Sequence, residues 1–479
     1  MPEAHRIQAG LAYWMNRVIE ERANLSANFA PDPVHDLRVA LRRCRSLADG
    51  IIRIDPHPAW RQLKKTARPL FRGLGNLRDI HVLTEGVARL SPGDSPGSSA
   101  LLAHATSEES RLKELALATV QQFDEKQWLS CCEILSRRVQ LLRLDSLLFR
   151  HLALERWHEA HELHRQALRN RSNVGFHRLR IGLKKFRYTI ENFLPSLCES
   201  WEADLKYLQD LLGEIHDLDM LWATALRIGA FQNEAARTRW NAIIEEQRSR
   251  RLDEYRNKML GRHSLWSVWR AALPQGKEIQ AAVLLRVKTW AAFLDPDFAH
   301  ARHVSRLALQ LYDGLPKNGT NHRQQLDRTR LLLQAAALMH DVGRAKRRKN
   351  HHKGSYRLIS ALPPPFGWKL QELRQAAAIA RYHRGALPRP GQSSFKSVPQ
   401  SEKRQTAFLA GILRLADALD KKHDGSIHRL EVEKTGDFFT VWARCLRRNT
   451  QDLQNIAAAR HLLESVCGCP IWVRLRAIH

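Results

Sequence analysis

The stretch VHDLRVALRRCR, residues 34–45, carries the pattern around which the N-terminal half of the chain is organised. At roughly 100° per residue, a helix would place one basic stripe beside one apolar stripe. The basic stripe consists of His35, Arg38, Arg42 and Arg45. The apolar stripe consists of Leu37, Leu41, Cys44 and Ala48. The stretch therefore predicts a helix that buries one side and keeps a row of cations beside it.

The same pattern returns at residues 176–187, which read FHRLRIGLKKFR. Its basic stripe consists of His177, Arg180, Lys184 and Arg187. Its apolar stripe consists of Leu179, Leu183, Phe186 and Ile190. Two such helices can bury their apolar stripes together, and both cationic stripes would then line one groove. The ligand that suits such a groove is a polyanion.

A second pair of matching segments follows the two basic stretches. Residues 74–83 read LGNLRDIHVL and residues 212–221 read LGEIHDLDML, so Arg78-Asp79 corresponds to His216-Asp217. Further cations are Lys65 and Arg68 in the first half and Lys206 in the second. The chain is therefore predicted to contain an internal duplication of one helical unit, with repeats at about 5–150 and 151–260.

Composition agrees with a polyanion ligand. The chain of 479 residues has 77 Lys and Arg against 49 Asp and Glu, a formal net charge of +28. Nucleic acid, inorganic polyphosphate and anionic lipid would all be attracted. Seven cysteines without zinc-like spacing indicate reduced thiols. Because neither a signal peptide nor an apolar span is recognisable, we expect a cytoplasmic protein that does not bind membranes.

These repeated segments resemble the CHAD family, the conserved histidine α-helical domain, over roughly residues 5–260. The resemblance implies two pseudo-symmetric helical bundles around a basic pore or groove that binds inorganic polyphosphate. Association with polyphosphate granules is a further expectation for a protein that binds this polymer. Carried onto this chain, the resemblance implies that the polyphosphate-binding residues are His35, Arg38, Arg42, Arg45, Lys65, Arg68, Arg78, His177, Arg180, Lys184, Arg187, Lys206 and His216.

Physical chemistry favours the same ligand. Guanidinium forks and lysine ammonium groups bind closely spaced phosphates well. A single Arg-rich run is usually a solvated helix face, but this run is duplicated in phase. Aromatic residues make up 7% of the chain and do not interleave with the basic stripes, so nucleic acid is the second choice of partner. Protonation of His35 and His177 should tighten binding as pH falls.

The second half of the chain carries different chemistry. His340-Asp341 stands at the predicted end of a helix, and a preceding helix begins at His300. Later positions of the same kind are His352, His383 and Asp417. Imidazole and carboxylate donors suit zinc, manganese or ferrous iron better than calcium. The sequence therefore predicts a divalent-metal site, with Mn, Mg, Zn or Fe as the candidate ions.

This constellation resembles the HD superfamily of metal-dependent phosphohydrolases, and more closely the C-terminal region of the exopolyphosphatase and guanosine pentaphosphate phosphatase family. The matching phrases are HARHVSRLALQLYDGL, AALMHDVG, HHKGSYRLI, ARYHRG and LRLADALD, within residues 296–425. The resemblance implies His300, His340, Asp341 and Asp417 as primary ligands. Asp341 would be the catalytic position and bridge to a second ion held by His352 and His383. The remaining histidines of this region are interpreted as structural or surface residues: His303, His322, His351 and His423.

The same family limits the inference about activity. Its exopolyphosphatase chemistry is attributed to an N-terminal actin-like domain whose Gly-rich phosphate loops are absent from this sequence.

Residues 426–479 alternate as strands around one helix and predict a small α/β cap, to which we assign no chemistry. Residues 388–400 are interpreted as a surface loop, with a mobile lid as the alternative.

The sequence thus predicts a mostly α protein: a duplicated CHAD-like helical bundle at 1–262, an all-α HD-type domain at 275–425 and the α/β cap at 426–479. The expected function is polyphosphate binding joined to a metal-dependent phosphohydrolase that cleaves polyphosphate or a related phosphoanhydride. Two alternatives stay open. One is a non-enzymatic polyphosphate-binding, granule-targeting protein with a structural HD domain, and the other is an RNA-associated HD phosphohydrolase.

Overall fold

The computed structural model describes residues 4–25, 29–90, 96–316, 323–345, 349–445 and 453–477. Within these ranges the chain forms eighteen α-helices, two short 3-10 helices and three strands, which confirms the expected mostly α fold with a small C-terminal sheet. The chain divides into two compact units, Met1–Pro274 and Gln275–His479. No helix among the described residues has the length and apolar character that a bilayer span requires.

The first unit is wholly helical in its described part. Its helices are α1 Ala4–Asn24, α2 Pro31–Ile51, α3 Pro58–Leu90, α4 Pro96–Gln121, α5 Glu125–Val139, α6 Leu147–Asn170, α7 Asn173–Phe193, α8 Pro195–Arg227, α9 Glu234–Met259 and α10 Leu265–Ala271. Helices α2 and α3 correspond to α7 and α8. Each basic stretch lies in the first helix of its pair, and each Gly-to-Asp segment lies in the second.

Packing follows the two predicted apolar stripes. Leu37, Leu41 and Cys44 of α2 are fully buried, and so are Leu179 and Phe186 of α7. Helix α2 packs against α7, and α3 packs against α8. The two repeats therefore meet through their corresponding helices, which brings the cationic side of α2 near that of α7.

Local interactions fix where these helices begin. The Ser172 hydroxyl accepts a hydrogen bond from the Gly175 amide at 3.1 Å and caps α7. The buried Asp55 carboxylate follows α2 and accepts from Trp60 Nε1 at 2.8 Å. It also accepts two hydrogen bonds from Arg138, at 2.6 and 2.7 Å. The Asp55 carboxylate therefore connects the end of α2 with the start of α3 and with the end of α5.

The second unit is helical up to its C-terminal sheet. Its helices are α11 Lys277–Leu294, α12 Phe298–Gly314, α13 Arg323–Met339, α14 His351–Ser360, α15 Leu370–Tyr382, α16 Ser393–Lys396, α17 Lys403–Leu419 and α18 Leu453–Cys467. The 3-10 helices are Val342–Ala345 and Gln400–Glu402. The core is built from Val304, Leu333, Ile379, Leu413 and their neighbours on α12, α13, α15 and α17.

Gly343 allows the turn after α13 to approach α14 closely. A Cβ at this position would lie 2.2 Å from the His351 carbonyl oxygen and 2.4 Å from the Ser355 amide nitrogen, so a side chain cannot be accommodated. The Gly343 amide donates to Ser355 Oγ at 2.9 Å. The glycine after His340-Asp341 therefore holds the start of α14 against that turn.

The C-terminal strands are β1 Ile427–Thr435, β2 Phe438–Cys445 and β3 Ile471–Ala477. They form one sheet of order β1-β2-β3, antiparallel between β1 and β2 and parallel between β2 and β3. The predicted hairpin and last strand are thus present. Residues 388–400, interpreted as a loop, include the short helix α16 and bury Phe395 and Val398, which anchors the segment.

Candidate functional site

A cationic cavity of about 1000 Å³ lies in the first unit. Its walls come mainly from α2, α3, α7 and α8, the helices that carry the duplicated segments. Nine of the predicted binding residues line it: His35, Arg38, Arg42, Arg45, Arg78, His177, Arg180, Lys184 and His216. The fold therefore gathers cations from both repeats around one space.

Four of the predicted residues do not line this cavity. Lys65, Arg68 and Lys206 have exposed side chains elsewhere on α3 and α8. Arg68 is near enough to Arg45 to influence its charge. Arg187 forms an ion pair at 2.6 Å with Glu191, which stands one helical turn further along α7. The Arg187 side chain is mostly buried.

The cavity also has residues that the sequence analysis did not assign. Further cations on its wall are Arg89, Arg156, Lys185, Arg227 and Arg251. Its acidic residues are Asp49, Asp79, Glu214 and Asp217. In total, eleven Arg and Lys residues face four carboxylates. Arg89 lies three turns beyond Arg78 on α3, a spacing that helical periodicity could have identified.

Burial and neighbouring cations lower the pKa values of several basic residues in this cavity. Burial, Arg180 and Arg42 lower the pKa of Lys184 to about 7. Burial and the neighbouring charges of Arg42 and Arg78 lower the pKa of Arg38 to about 10, although Asp79 opposes them. Burial, Arg180 and His177 lower the pKa of His216 to about 4. A bound polyanion would relieve this repulsion.

Phe71 orients two of the arginines. The guanidinium carbons of Arg38 and Arg45 lie 4.8 and 4.3 Å from the centre of its ring, on α3. Arg38 Nη1 donates to the Phe71 carbonyl oxygen at 3.0 Å. Gly75 leaves room for this arrangement, since a Cβ there would lie 2.9 Å from Arg38 Nη1. Both guanidinium groups are therefore held at the wall before any ligand binds.

In the second repeat a histidine pair takes the place of an arginine. His177 Nδ1 lies 3.4 Å from His216 Nδ1. Burial and the neighbouring Arg180 lower the pKa of His177 as well. Because Arg78 corresponds to His216, the first repeat presents a permanent charge where the second presents an imidazole that is neutral at pH 7.

The second unit holds a cluster of buried histidines and carboxylates. His340 follows α13 directly and His383 follows α15 directly. His340 Nδ1 lies 2.7 Å from the Ala337 carbonyl oxygen, and His383 Nδ1 lies 2.6 Å from that of Ala380. Since a carbonyl only accepts, each Nδ1 carries a proton, and each Nε2 is the ring nitrogen left for the cluster. Both helix ends thus orient an imidazole as a metal donor.

His300 of α12 is oriented by a carboxylate instead. Its Nδ1 lies 2.7 Å from Asp420 Oδ2, and its Nε2 lies 3.2 Å from Asp417 Oδ1. Burial lowers the pKa of His300, but the hydrogen bonds with Asp417 and Asp420 outweigh this effect and raise it to about 9. A metal ion that binds Nε2 would therefore displace a proton.

Two groups of donors converge in this cluster. One is His300, His340 and Asp417, and the other is His340, Asp341 and His383; within each group the donor atoms lie within 4.8 Å of one another. Burial would raise the pKa of Asp341, but His340 and His351 hold it well below its usual range. The carboxylate is therefore ionised.

The buried polar atoms of the cluster fit a divalent cation. His340 Nε2 and Asp341 Oδ1 are buried without a well-aligned hydrogen bond, although His351 Nε2 lies 3.0 Å from Asp341 Oδ1 and Asp417 Oδ1 lies 3.4 Å from His340 Nε2. Such atoms are costly to bury without a partner, and a cation would satisfy both at once. Burial and His340 lower the pKa of His383 to about 3, so this imidazole is neutral as ligation requires.

Of the six predicted ligands, five belong to these two groups and His352 does not. The structure places the neighbouring His351 against Asp341, with its Nε2 3.0 Å from Asp341 Oδ1 and 3.3 Å from His383 Nε2. The His352 ring centre lies 6.3 Å from that of His383. Burial and Arg381 lower the pKa of His352 to about 4. The periodicity of α14 could not distinguish two adjacent histidines at its first turn.

Three further residues at the cluster were not predicted to act there. Asp420 holds His300, and its spacing of three from Asp417 was a signal available in the sequence. Arg344 Nη1 donates to Asp341 Oδ2 at 2.9 Å. The His423 ring stacks on that of His300 with centres 3.6 Å apart. His303 Nε2 lies 4.0 Å from Asp420, and His322 lies outside the described residues.

Comparison with known proteins agrees with this division of the chain. The CHAD domain model matches residues 11–226, and the model of Ppx/GppA phosphatase domain III matches residues 286–457. The chain thus contains a CHAD domain followed by an HD-like Ppx/GppA phosphatase domain III. No curated protein matches the sequence.

One solved structure similar to this chain is the CHAD domain from the plant Ricinus communis. The similarity covers 57% of this chain and 92% of the plant chain, at 21% sequence identity and a TM-score of 0.39.

Proposed function

We propose that the chain binds inorganic polyphosphate in the cationic cavity and that the His–Asp cluster serves a metal-dependent phosphohydrolase. The observation that carries the first part is the excess of cations on the cavity wall, which come from both repeats. Polyphosphate has closely spaced charges along a flexible chain and offers several acceptor oxygens per unit. Guanidinium groups bind such oxygens in pairs, and their number here suits a polymer better than a single phosphate.

The observation that carries the second part is the convergence of buried donor atoms, among them His340 Nε2 and Asp341 Oδ1, which both lack a well-aligned hydrogen bond. The residues that would hold metal are His300, His340, Asp341, His383 and Asp417, with His351 beside them. A bound divalent ion would lower the pKa of a water and neutralise charge on a phosphoryl group. Manganese, zinc, iron and magnesium all accept parts of this donor set.

The residues around the cluster define how a phosphate could reach it. His340 and His383 are almost fully buried, whereas the side chains of Asp417 and Arg344 are 15% and 26% exposed. A phosphate would therefore approach on the side of Asp417 and Arg344. Arg344 already holds Asp341 Oδ2 and would stabilise negative charge next to it. Joining both units in one chain would raise the concentration of captured polymer near the cluster.

Polyphosphate binding is tested by reversing two charges of the cavity in the full chain. Arg42→Glu with Lys184→Glu should weaken binding of long-chain polyphosphate and reduce its dependence on salt. A matched control is Lys126→Glu with Arg137→Glu, which makes the same charge change on exposed positions of α5. Equal affinity of both double variants would show that binding follows net charge, not the cavity.

Hydrolysis is tested by phosphate release from long-chain polyphosphate with added Mn²⁺. We expect release by the wild type and none by Asp341→Ala, while both bind the polymer. Absence of release from both, with binding and metal content intact, would assign the cluster another phosphorylated substrate. Absence of bound metal as well would favour the non-enzymatic alternative, a polyphosphate-binding protein with a structural HD domain. Competition between polyphosphate and RNA tests the RNA-associated alternative.

A further inference from the structure

The C-terminal sheet has one face packed in the core and one face outside it. Val441, Ala443 and Ile471 point into the core of the second unit. Since side chains alternate along a strand, the residues between them form the other face. We call it the outer sheet face, and it consists of Arg429, Glu431, Glu433, Thr435, Phe438, Thr440, Trp442, Arg444, Trp472, Arg474 and Arg476; the Phe438 and Trp472 ring centres lie 6.4 Å apart.

Two tryptophans stand on this face. Trp472 is 51% exposed, so a large part of its indole ring is accessible to a ligand. Trp442, on the adjacent strand, is partly buried and donates from Nε1 to Glu433 at 2.9 Å. Trp472 lies opposite Thr440, two residues from Trp442. The two residues are therefore diagonal neighbours, with Cα atoms separated by about 8 Å at standard strand spacing.

The same face is rich in arginine. Arg474 lies over the Trp442 ring, with its guanidinium carbon 5.5 Å from the ring centre, and Arg460 of α18 lies 5.9 Å from that of Trp472. Glu431 pairs with both Arg429 and Arg444. Arg474 and Arg476 form no ion pair with other described residues. Four arginines face two glutamates, so the outer sheet face has a net positive charge.

We propose that the outer sheet face binds single-stranded nucleic acid, with bases stacked on Trp472 and Trp442 and phosphates bound by Arg474 and Arg476. Exposed aromatic rings on a sheet, flanked by cations, are how single-stranded polynucleotides are bound without duplex recognition. Successive unstacked bases can span the distance between the two rings. Inorganic polyphosphate would be attracted by the arginines but has no π-face to occupy the indoles.

No residue of the outer sheet face lines the polyphosphate cavity or belongs to the metal cluster. All its residues on β3 lie beyond position 457, where the match to the phosphatase domain ends. The proposal does not depend on polyphosphate binding or hydrolysis. It assigns a ligand to a sheet whose opposite face packs into the core of the second unit.

The test measures binding of a fluorescent oligouridylate to the full chain by anisotropy, with excess polyphosphate present to occupy the cavity. Trp472→Ala should weaken binding by about 5-fold to 150-fold, the usual effect of one stacking residue. Trp472→Phe keeps a ring and should retain most of the affinity. Tyr13→Ala removes an equally exposed aromatic residue of α1 and should have no effect. Arg476→Gln should reduce the salt dependence by about one released ion.

Thermal unfolding checks that each variant folds, and Trp472 is exposed enough for its removal to spare the core. Polyphosphate affinity, measured in parallel, should be the same for all these variants. The proposal is overturned if Trp442→Ala with Trp472→Ala binds the oligonucleotide as tightly as the wild type. It is equally overturned if Arg42→Glu with Lys184→Glu abolishes oligonucleotide binding, because the oligonucleotide would then be held by the cavity.

Discussion

The two predicted sites of this chain are built on opposite electrostatic principles. The cavity of the first unit contains many cations whose charges are not balanced, and burial together with neighbouring cations lowers the pKa values of Lys184 and Arg38. The cluster of the second unit contains few groups, and most of its imidazoles are oriented by a specific carbonyl or carboxylate. The cavity therefore suits a ligand of high charge and variable shape, whereas the cluster suits a small cation at a defined position.

This difference predicts how each site responds to substitution. In the cavity, one cation among eleven can be lost with a limited effect, because the others still attract the polymer. In the cluster, each donor side chain occupies a specific position around the metal site, and the loss of one donor is not made up by the others. Single substitutions should therefore act strongly on metal binding and weakly on polyphosphate binding.

The largest effect is expected for Asp417→Ala. Asp417 Oδ1 approaches both His300 Nε2 and His340 Nε2, at 3.2 and 3.4 Å, so its removal opens the donor group on one side. Even outer-sphere changes weaken metal binding by about 10- to 100-fold, and loss of a donor should exceed that. Metal analysis of the purified protein should show content at background, with polyphosphate affinity unchanged. Asp424→Ala, an exposed carboxylate of the following turn, is the control.

The next prediction separates the two adjacent histidines of α14. His351→Ala should reduce metal content or affinity, because its Nε2 lies 3.0 Å from Asp341 Oδ1. His352→Ala removes an imidazole that belongs to neither donor group and should have a smaller effect. Metal titration of the two variants measures the difference. The reverse order would favour the assignment that the family resemblance implied.

The sequence predicted the helices of both sites better than the positions of their side chains. Periodicity identified the paired stripes of α2 and α7, because burial of one stripe determines where the other points. It could not show that Arg187 would bind Glu191, since that interaction depends on rotamers. Likewise, Asp341 and His383 are separated by more than forty residues, and only packing of α14 and α15 brings His351 between them.

For the outer sheet face, the sequence contained the side-chain pattern but not the pairing of the strands that carry it. The absence of aromatic residues among the basic stripes made nucleic acid the second choice, and that observation holds for α2 and α7. The alternation of tryptophan and arginine occurs instead at Trp442-x-Arg444 and Trp472-x-Arg474. Strand periodicity alone places each pair on one face. Pairing of β2 with β3, about thirty residues apart, was needed to join them.

A smaller effect is predicted for the pH dependence of polyphosphate binding. The pKa of Lys184 is about 7 in the free cavity, through burial, Arg180 and Arg42, and bound phosphate would raise it. Below pH 7 the ammonium group is already charged, so affinity gains little from it. Above pH 7 binding must take up a proton, and affinity should fall by at most about tenfold per pH unit. Binding measured from pH 6 to 9 tests this.

Lys184→Arg is the informative variant for that titration, because a guanidinium stays charged across the range. Its affinity should be nearly constant between pH 7 and 9. Other titratable groups on the cavity wall are His35, His177, His216, Lys185, Tyr188, Asp49, Asp79, Glu214 and Asp217, and burial lowers the pKa of the three histidines. A pH slope that persists in Lys184→Arg would assign it to these groups.

The smallest effect is expected at Phe71, which contacts two cavity arginines without carrying charge. Phe71→Leu keeps an apolar side chain but removes the ring face against which Arg38 and Arg45 lie. An exposed cation–π contact contributes about 0.5–1 kcal/mol, so polyphosphate affinity should fall by roughly 2- to 5-fold. Phe71→Tyr retains the ring and should bind as the wild type does. If Phe71→Leu also binds unchanged, the polymer itself orients the arginines, and their charge alone determines affinity.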